Sequence, residues 1–367
     1  MEHGFNMVLF ETDWLHMYDV NNYINNIDTN VDLGELLDRN KVHNWLWNNS
    51  VITELIETMK SINKNIKKNI NLFGIDCYLL IESYNWLCNF LKKVDIDLYT
   101  IVKNKFKFLD NYNTTSDFMN AVMIGDLKHC ETDIEQAFQN LIISIQTNCE
   151  KYRENGEIGV MDIFTAEQCC EIIVNSYEYF KKQYLEPPGS NASWNTRDQH
   201  MLMTLLKLNE TFKDSKFIIW AHNSHIGDAT ASNRSGMNFL QNETWNLGQM
   251  CRAMFENTFI IGFGTYNGSV TAVESWNTAK RRFILNIPIE SSIENILYNL
   301  CKKKQIEQCF INTKECSEND VFNQFRLQRF VGVIYNSGSE LQSHYIEYNI
   351  TKQFDIYIFI THTQALL

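Results

Sequence analysis

The sequence predicts an α/β fold whose parallel or mixed sheet core is interrupted by a large helical insertion. Three observations carry this. Short apolar runs alternate with amphipathic stretches at the start of the chain, strand signals then vanish from about residue 79 to 213, and they return from residue 216 onward. The boundaries that follow are 1–78 for the first part of the core, 79–213 for a helical subdomain, and 214–367 for the second part of the core.

The elements follow in chain order. MVLFE (7–11) is a short apolar run ending at Glu11, followed by Thr12, Asp13 and a helical pattern from Trp14 to about Asn26. The amphipathic stretch SVITELIETMKSINK leads to a second strand, INLFGID (70–76), which ends at Asp76. Long helical stretches such as IEQAFQNLIISIQTNCEKY and AEQCCEIIVNSYEYFKKQYL fill the insertion. Strands are expected again at KFIIWAH (216–222), TFIIGFGTY (258–266), FVGVIY (330–335) and FDIYIFIT (354–361), with a helix over NLGQMCRAMFEN.

Composition narrows the function classes. Of 367 residues, 44% are hydrophobic and 13% aromatic, enough for a globular core. A net charge of −12 repels polyanions, which argues against a nucleic-acid partner. No apolar run approaches the roughly 20 residues of a membrane span. The ten cysteines include the vicinal pair Cys169 and Cys170 but no C-x-x-C, a pattern expected of free thiols in a cytoplasmic protein without a signal peptide.

Ligands of open α/β sheets collect beyond the carboxyl ends of the strands. Glu11, Asp76 and His222 each end an apolar run there. In FIIWAHNSHIGD, His222 and His225 can move a proton or polarise a carbonyl; the plainer reading has one cap the next turn and the other face solvent. Glu11 is an acid, a base or the orienter of a histidine, or else binds amides at the start of the Trp14 helix, where Asp13 is the better placed N-cap. Asp76 carries the same two readings. Arg197 and Asp198 open a helix with Met201, Leu202, Leu205 and Leu206 on its apolar face; Arg197 either holds a carbonyl or carboxylate or belongs to a solvated helix end. GFGTYNGSVTA (262–272) leads into no helix, so it reads as a tight strand-to-strand turn and not as a dinucleotide loop. No G-x-S-x-G elbow is present. A metal held by His222, His225 and Glu11 would need a ligand spacing that H-x-x-H alone does not supply.

WAHNSHIGD, followed by NLGQMCRAMFENTFIIGFGTYNGSVTA, resembles the signature block of the erythromycin esterase-like hydrolases. FETDW, NWLWNN, FGIDCY, SWNTRDQHM and, near the carboxyl end, RFVGVIY, QSHY and QFDIYIFI resemble further family segments in the same order, so the likeness covers the whole chain. The resemblance implies a metal-independent esterase without a cofactor. Such an enzyme opens a macrolide lactone by activating water in a cleft between an α/β core and helices, and so confers antibiotic resistance. The partner implied is a small-molecule ester or lactone. Glu11, His222 and His225 match family residues whose implied roles are to polarise the ester carbonyl, stabilise the oxyanion and orient the site. The family's G-E-x-x-H-G segment, which carries its water-activating pair, has no counterpart here. The opening letters Glu2-His3-Gly4 align with a different stretch, and neither His3 nor His344 has a spacing that makes it a substitute. The expectation is a member that lacks the usual general base: an N-terminally truncated one, one whose start is placed too late, or a reduced, non-hydrolytic form that binds a small amphipathic ligand in the same cleft.

Overall fold

The computed structural model describes residues 3–27, 31–38, 44–65, 69–125, 134–154, 156–187, 190–233, 244–275, 278–317 and 321–366. Glu2 lies outside them. The chain forms two compact units, one of Met1–Val42 with Met59–Ile218, the other of His43–Thr58 with Ile219–Leu367. It is a mixed α/β architecture with a large helical segment interrupting the core.

The first unit is built on β1 (Phe5–Asp13), β2 (Asn71–Asp76) and the start of β3 (Lys216–Trp220), in the order β2-β1-β3. β1 and β2 run parallel, with Leu9 beside Phe73 and Phe10 beside Gly74. Five of the six β2 residues are buried, as expected of a strand covered on both faces. Around them lie α1 (Trp14–Ile24), α2 (Leu33–Asp38), the end of α3 (Ser50–Asn63), α4 (Leu80–Val94), α5 (Ile96–Lys105), α6 (Thr115–Met123), α7 (Ile134–Arg153), α8 (Val160–Leu185) and α9 (Ala192–Thr211). Trp14 ties strand to helices: its ring stacks on Phe73 at 4.9 Å and its Nε1–H donates to Thr165 Oγ1 at 3.2 Å. Amphipathic α8 gives its apolar positions to α4, α7 and α9.

The second unit holds a mixed four-stranded sheet in the order β5-β4-β9-β6, made of β4 (Ile261–Ala272), β5 (Arg281–Ile284), β6 (Gln308–Asn312) and β9 (Ile356–Thr363). A second pair is β7 (Arg326–Arg329) with β8 (Tyr345–Tyr348). The helices are α10 (Asn223–Ile226), α11 (Leu247–Met254), α12 (Ile293–Lys304), α13 (Glu340–Ser343) and α14 (Ile350–Gln353). Leu297 and Cys301 of α12 pack with Tyr266, Phe354, Tyr357 and Phe359 into a closed core. Ile261 and Phe263, in register with Ile356 and Ile358, and Phe310 of β6 form an apolar row whose aromatic members stay exposed.

Two sequence expectations fail in this unit. GFGTYNGSVTA is no turn: it is part of the continuous strand β4, paired in parallel with β9. Its glycines serve close approach. A Cβ on Gly264 would lie 2.0 Å from the Tyr357 hydroxyl, and one on Gly268, at φ +124°, would lie 1.9 Å from the Thr363 carbonyl. FVGVIY is no regular strand either. The ladder ends at Arg329, and beyond it the backbones of Val333 and Tyr335 bond to that of Val273 in an isolated bridge. The preceding RLQR found a continuous partner in β8, and this apolar run did not.

Candidate active site

At the carboxyl end of β1 the register slips between Phe10 and Asp13, a bulge that re-aims the side chains of FETD. Gly74 permits it: a Cβ there would lie 2.4 Å from the Thr12 carbonyl and 2.3 Å from that of Asp13. Asp13 stands at the N-cap position of α1 but makes no capping bond, contrary to the sequence expectation. Its Oδ1 accepts instead from the N–H groups of Tyr78 (2.7 Å) and Leu79 (2.9 Å), holding the turn after β2. Burial, and then the Asp76 charge, push the Asp13 carboxyl well above its usual range against those two amides.

Glu11 meets an arginine that the sequence left open between a buried and a solvated role. Arg197 Nε donates to Asp76 Oδ1 at 2.9 Å and Nη2 to Asp76 Oδ2 at 2.6 Å, a two-point grip; Nη2 also donates to Glu11 Oε1 at 2.8 Å. The side chains are 11% (Arg197), 2% (Asp76) and 17% (Glu11) exposed, so Glu11 is the member that reaches solvent most. Burial alone would weaken the Arg197 charge, but Asp76, with Glu11 adding to it, more than offsets this and holds the guanidinium firmly protonated. The guanidinium also lies 5.0 Å from the Tyr78 ring centre. Asp76 accepts the Cys77 N–H at 2.9 Å. Asp198 is fully buried as well, so the solvated-end reading of this pair is wrong: both sit inside α9, which begins at Ala192. One turn on, His200 is fixed by Asn175 at 3.1 Å, and burial pushes it down to about 4, so it stays neutral.

In the second unit His222 sits just before α10. Its Nδ1 faces Ser224 Oγ at 2.8 Å and accepts the Ser224 N–H at 3.3 Å, so the proton belongs on Nε2, which donates to the Val331 carbonyl at 3.1 Å. His222 therefore does cap the turn. His225 is 2% exposed and so does not face solvent. The rest of the motif is scaffolding. Asn223 clasps both backbone groups of Phe263, donating to its O at 2.5 Å and accepting from its N–H at 3.2 Å, which covers an open edge of β4. Asn246 caps α11 through Gln249 and donates to the carbonyls of Ser224 (2.8 Å) and Gly227 (2.5 Å). Gly248 is required because a Cβ would stand 1.8 Å from the Ile226 carbonyl. Trp47 of NWLWNN packs edge-on against Trp220 with ring centres 6.1 Å apart. His344 is structural: its Nδ1 meets the Phe330 carbonyl at 3.0 Å, and burial pushes its pKa down.

The structure thus gathers Glu11, Asp76 and Arg197 in one unit and His222 and His225 in one turn of the other. Among the described residues no group of three or more His, Cys, Asp and Glu side chains is arranged to hold a metal ion, and no helix is long and apolar enough to cross a membrane. Residues 1–363 match the family described as Erythromycin esterase. The chain belongs to the erythromycin esterase family. Three solved structures share its fold. A Bacillus cereus protein is 18% identical with a TM-score of 0.70, covering 99% of this chain and 82% of that one. A succinoglycan biosynthesis protein is 17% identical with a TM-score of 0.68, covering 99% and 81%. A mutant of the erythromycin esterase EreC in its open conformation is 16% identical with a TM-score of 0.65, covering 98% and 83%.

Proposed function

We propose that this protein hydrolyses an ester or a macrolide-type lactone by attack of water, with Glu11, His222 and His225 as site residues. The observation that carries the proposal is the Glu11–Arg197–Asp76 array. Asp76 uses both its oxygens on Arg197, which leaves the arginine fixed and charged, and a 2.8 Å bond from Arg197 then holds Glu11 near the carboxyl end of β1. A carboxylate so placed can orient a water or a substrate hydroxyl without moving, which is the preorganisation that acyl transfer needs. His222, neutral with its proton on Nε2, can give that N–H to a developing oxyanion in place of the Val331 carbonyl.

The occupied state of both His222 nitrogens favours one other reading, a relative that binds a small amphipathic ligand without turning it over. Assays on erythromycin and on simple aryl esters separate the two. Turnover that falls on the order of 10²-fold or more in His222→Ala and Glu11→Gln supports hydrolysis. No turnover in the wild type, with a ligand-induced rise in Tm, overturns it in favour of binding.

A further inference from the structure

Among its described residues the second unit buries one guanidinium, that of Arg329, and two carboxyl groups, those of Glu294 and Glu340. Arg329 on β7 gives Nη1 to Glu340 Oε1 (3.1 Å) and to the Asn286 carbonyl (2.8 Å), and Nη2 to the carbonyls of Thr265 (2.9 Å) and Tyr266 (2.8 Å) on β4. Glu294, in the first turn of α12 and 1% exposed, feels the charge of that guanidinium but receives none of those Nη1 and Nη2 bonds. Its Oε1 accepts the backbone N–H of Arg329 at 2.9 Å, and its own backbone N–H and the Ser292 side chain also favour the ionised form. Among the described residues its Oε2 has no hydrogen-bond partner, and the buried side chains of Tyr345 and Tyr357 lie near it.

The charge count decides the state of this cluster. Glu340 already takes the direct ion pair with Arg329, so a second ionised carboxyl would be a buried charge offset only by two backbone amides, the Ser292 side chain and a guanidinium it does not touch, all of which burial outweighs. A protonated Glu294 has no such cost. We infer that Glu294 is held as a neutral carboxylic acid and acts as a proton-controlled positioning residue for His222, through the segment from Arg329 to Val331. The linkage is short. Glu294 fixes the Arg329 N–H, the Phe330 N–H is anchored on the His344 carbonyl at 2.7 Å, and the next carbonyl, that of Val331, receives the His222 proton. Phe330 itself lies edge-on to the His222 ring.

The groups that face Glu294 are Arg329 from β7, Tyr345 from β8 and Tyr357 from β9, with Glu340 of α13 behind Arg329. Burial pushes Glu294 up to about 7, against the opposing Arg329 amide and charge, so its proton comes off in the neutral range. The ionised carboxylate pulls harder on the Arg329 amide and competes with Glu340 for the guanidinium. The segment moves, and the Val331 carbonyl that sets the His222 tautomer moves with it.

This inference rests on His222 being a site residue, but its test reads no turnover, so a chain without hydrolase activity sinks the proposed function and leaves this test intact. Full-length protein labelled with ¹³C at glutamate carboxyls and ¹⁵N throughout is titrated from pH 5.5 to 8.5 by NMR, as wild type, Glu294→Gln and Glu294→Asp. The expected result is one carboxyl signal, absent from both variants, with its midpoint near 7. The Arg329 amide and the His222 ring signals share that step in the wild type and lose it in Glu294→Gln. A Glu294 carboxyl that titrates below 5.5, or a His222 step unchanged in Glu294→Gln, overturns the inference. Should Glu294→Gln fail to fold, Glu294→Asp assigns the signal, and a wild-type Arg329 amide that ignores its midpoint is equally fatal.

Discussion

Each unit of this protein buries an arginine beside two carboxyl groups, and the two arginines do different work. Arg197 gives Nε and Nη2 to side chains, Asp76 and Glu11, near the ends of β1 and β2. Arg329 gives Nη1 and Nη2 to three backbone carbonyls and to one carboxylate, that of Glu340. The first arrangement leaves a held carboxylate near solvent, and the second makes a clasp across strands that leaves Glu294 over as an acid. The same residue types give a candidate site or a structural tie according to what the remaining N–H groups meet.

The sharpest way to break this comparison is Arg197→Met. It strands Asp76, 2% exposed, without a counter-charge, and should cost about 3–5 kcal/mol in denaturant unfolding. Arg197→Lys should recover only part, because an ammonium cannot make the two-point grip. A loss under about 1 kcal/mol would show that solvent reaches Asp76 and that the array is not closed. The scaffold of the histidine turn comes next. Gly248→Ala sets a Cβ against the Ile226 carbonyl, which is backbone and cannot swing aside, so a loss of about 1–3 kcal/mol is expected in a thermal or urea melt.

Glu294→Gln tests the other arginine through pH. A carboxyl raised from its ordinary value to about 7 in the folded chain binds more protons folded than unfolded between those limits, so its contribution falls as pH rises through that window. The variant should match the wild type at the acid end and gain on it up to about pH 7, with a constant difference above. His16 and His200, both held near 4 by burial, act the opposite way: their unfolded forms take protons first, so stability falls as pH drops from the usual histidine range towards 4. These terms are common to both proteins and cancel in the difference. The smallest effect belongs to Glu274→Ala, which removes an ion pair with Arg281 whose side chains are each 57% exposed. Urea melts should show a change within about 1 kcal/mol, and a larger loss would show that exposed pairs rival the buried ones here.

Part of the candidate site is legible in the sequence. Glu11 and Asp76 could be picked out because an apolar run that stops at a polar side chain marks the end of a buried strand; the run before His222 misled, since β3 is exposed or half-buried along its length. Arg197 could not be settled the same way. Its partners lie 121 and 186 residues away, and a charged pair inside a helix looks alike whether it is solvated or buried. Asp13 misled for a related reason: it has the N-cap position of α1, but the turn after β2 brings two amides closer. Nothing in SSIENI marks Glu294 as a buried acid, since Ser292 and Glu294 read as an ordinary helix start and do form one.

By itself the sequence determined the α/β class, the helical interruption, the family and the strand-end residues, because periodicity and motif order are properties of the chain alone. Tertiary structure decided the rest. Whether GFGTYNGSVTA turned or ran straight depended on the rings of Phe354 and Tyr357 filling the space its glycines leave open. Whether FVGVIY paired depended on which neighbour β8 found. The charge of each buried acid depended on how many cations and amides shared its cavity, a count that only three-dimensional neighbours can supply.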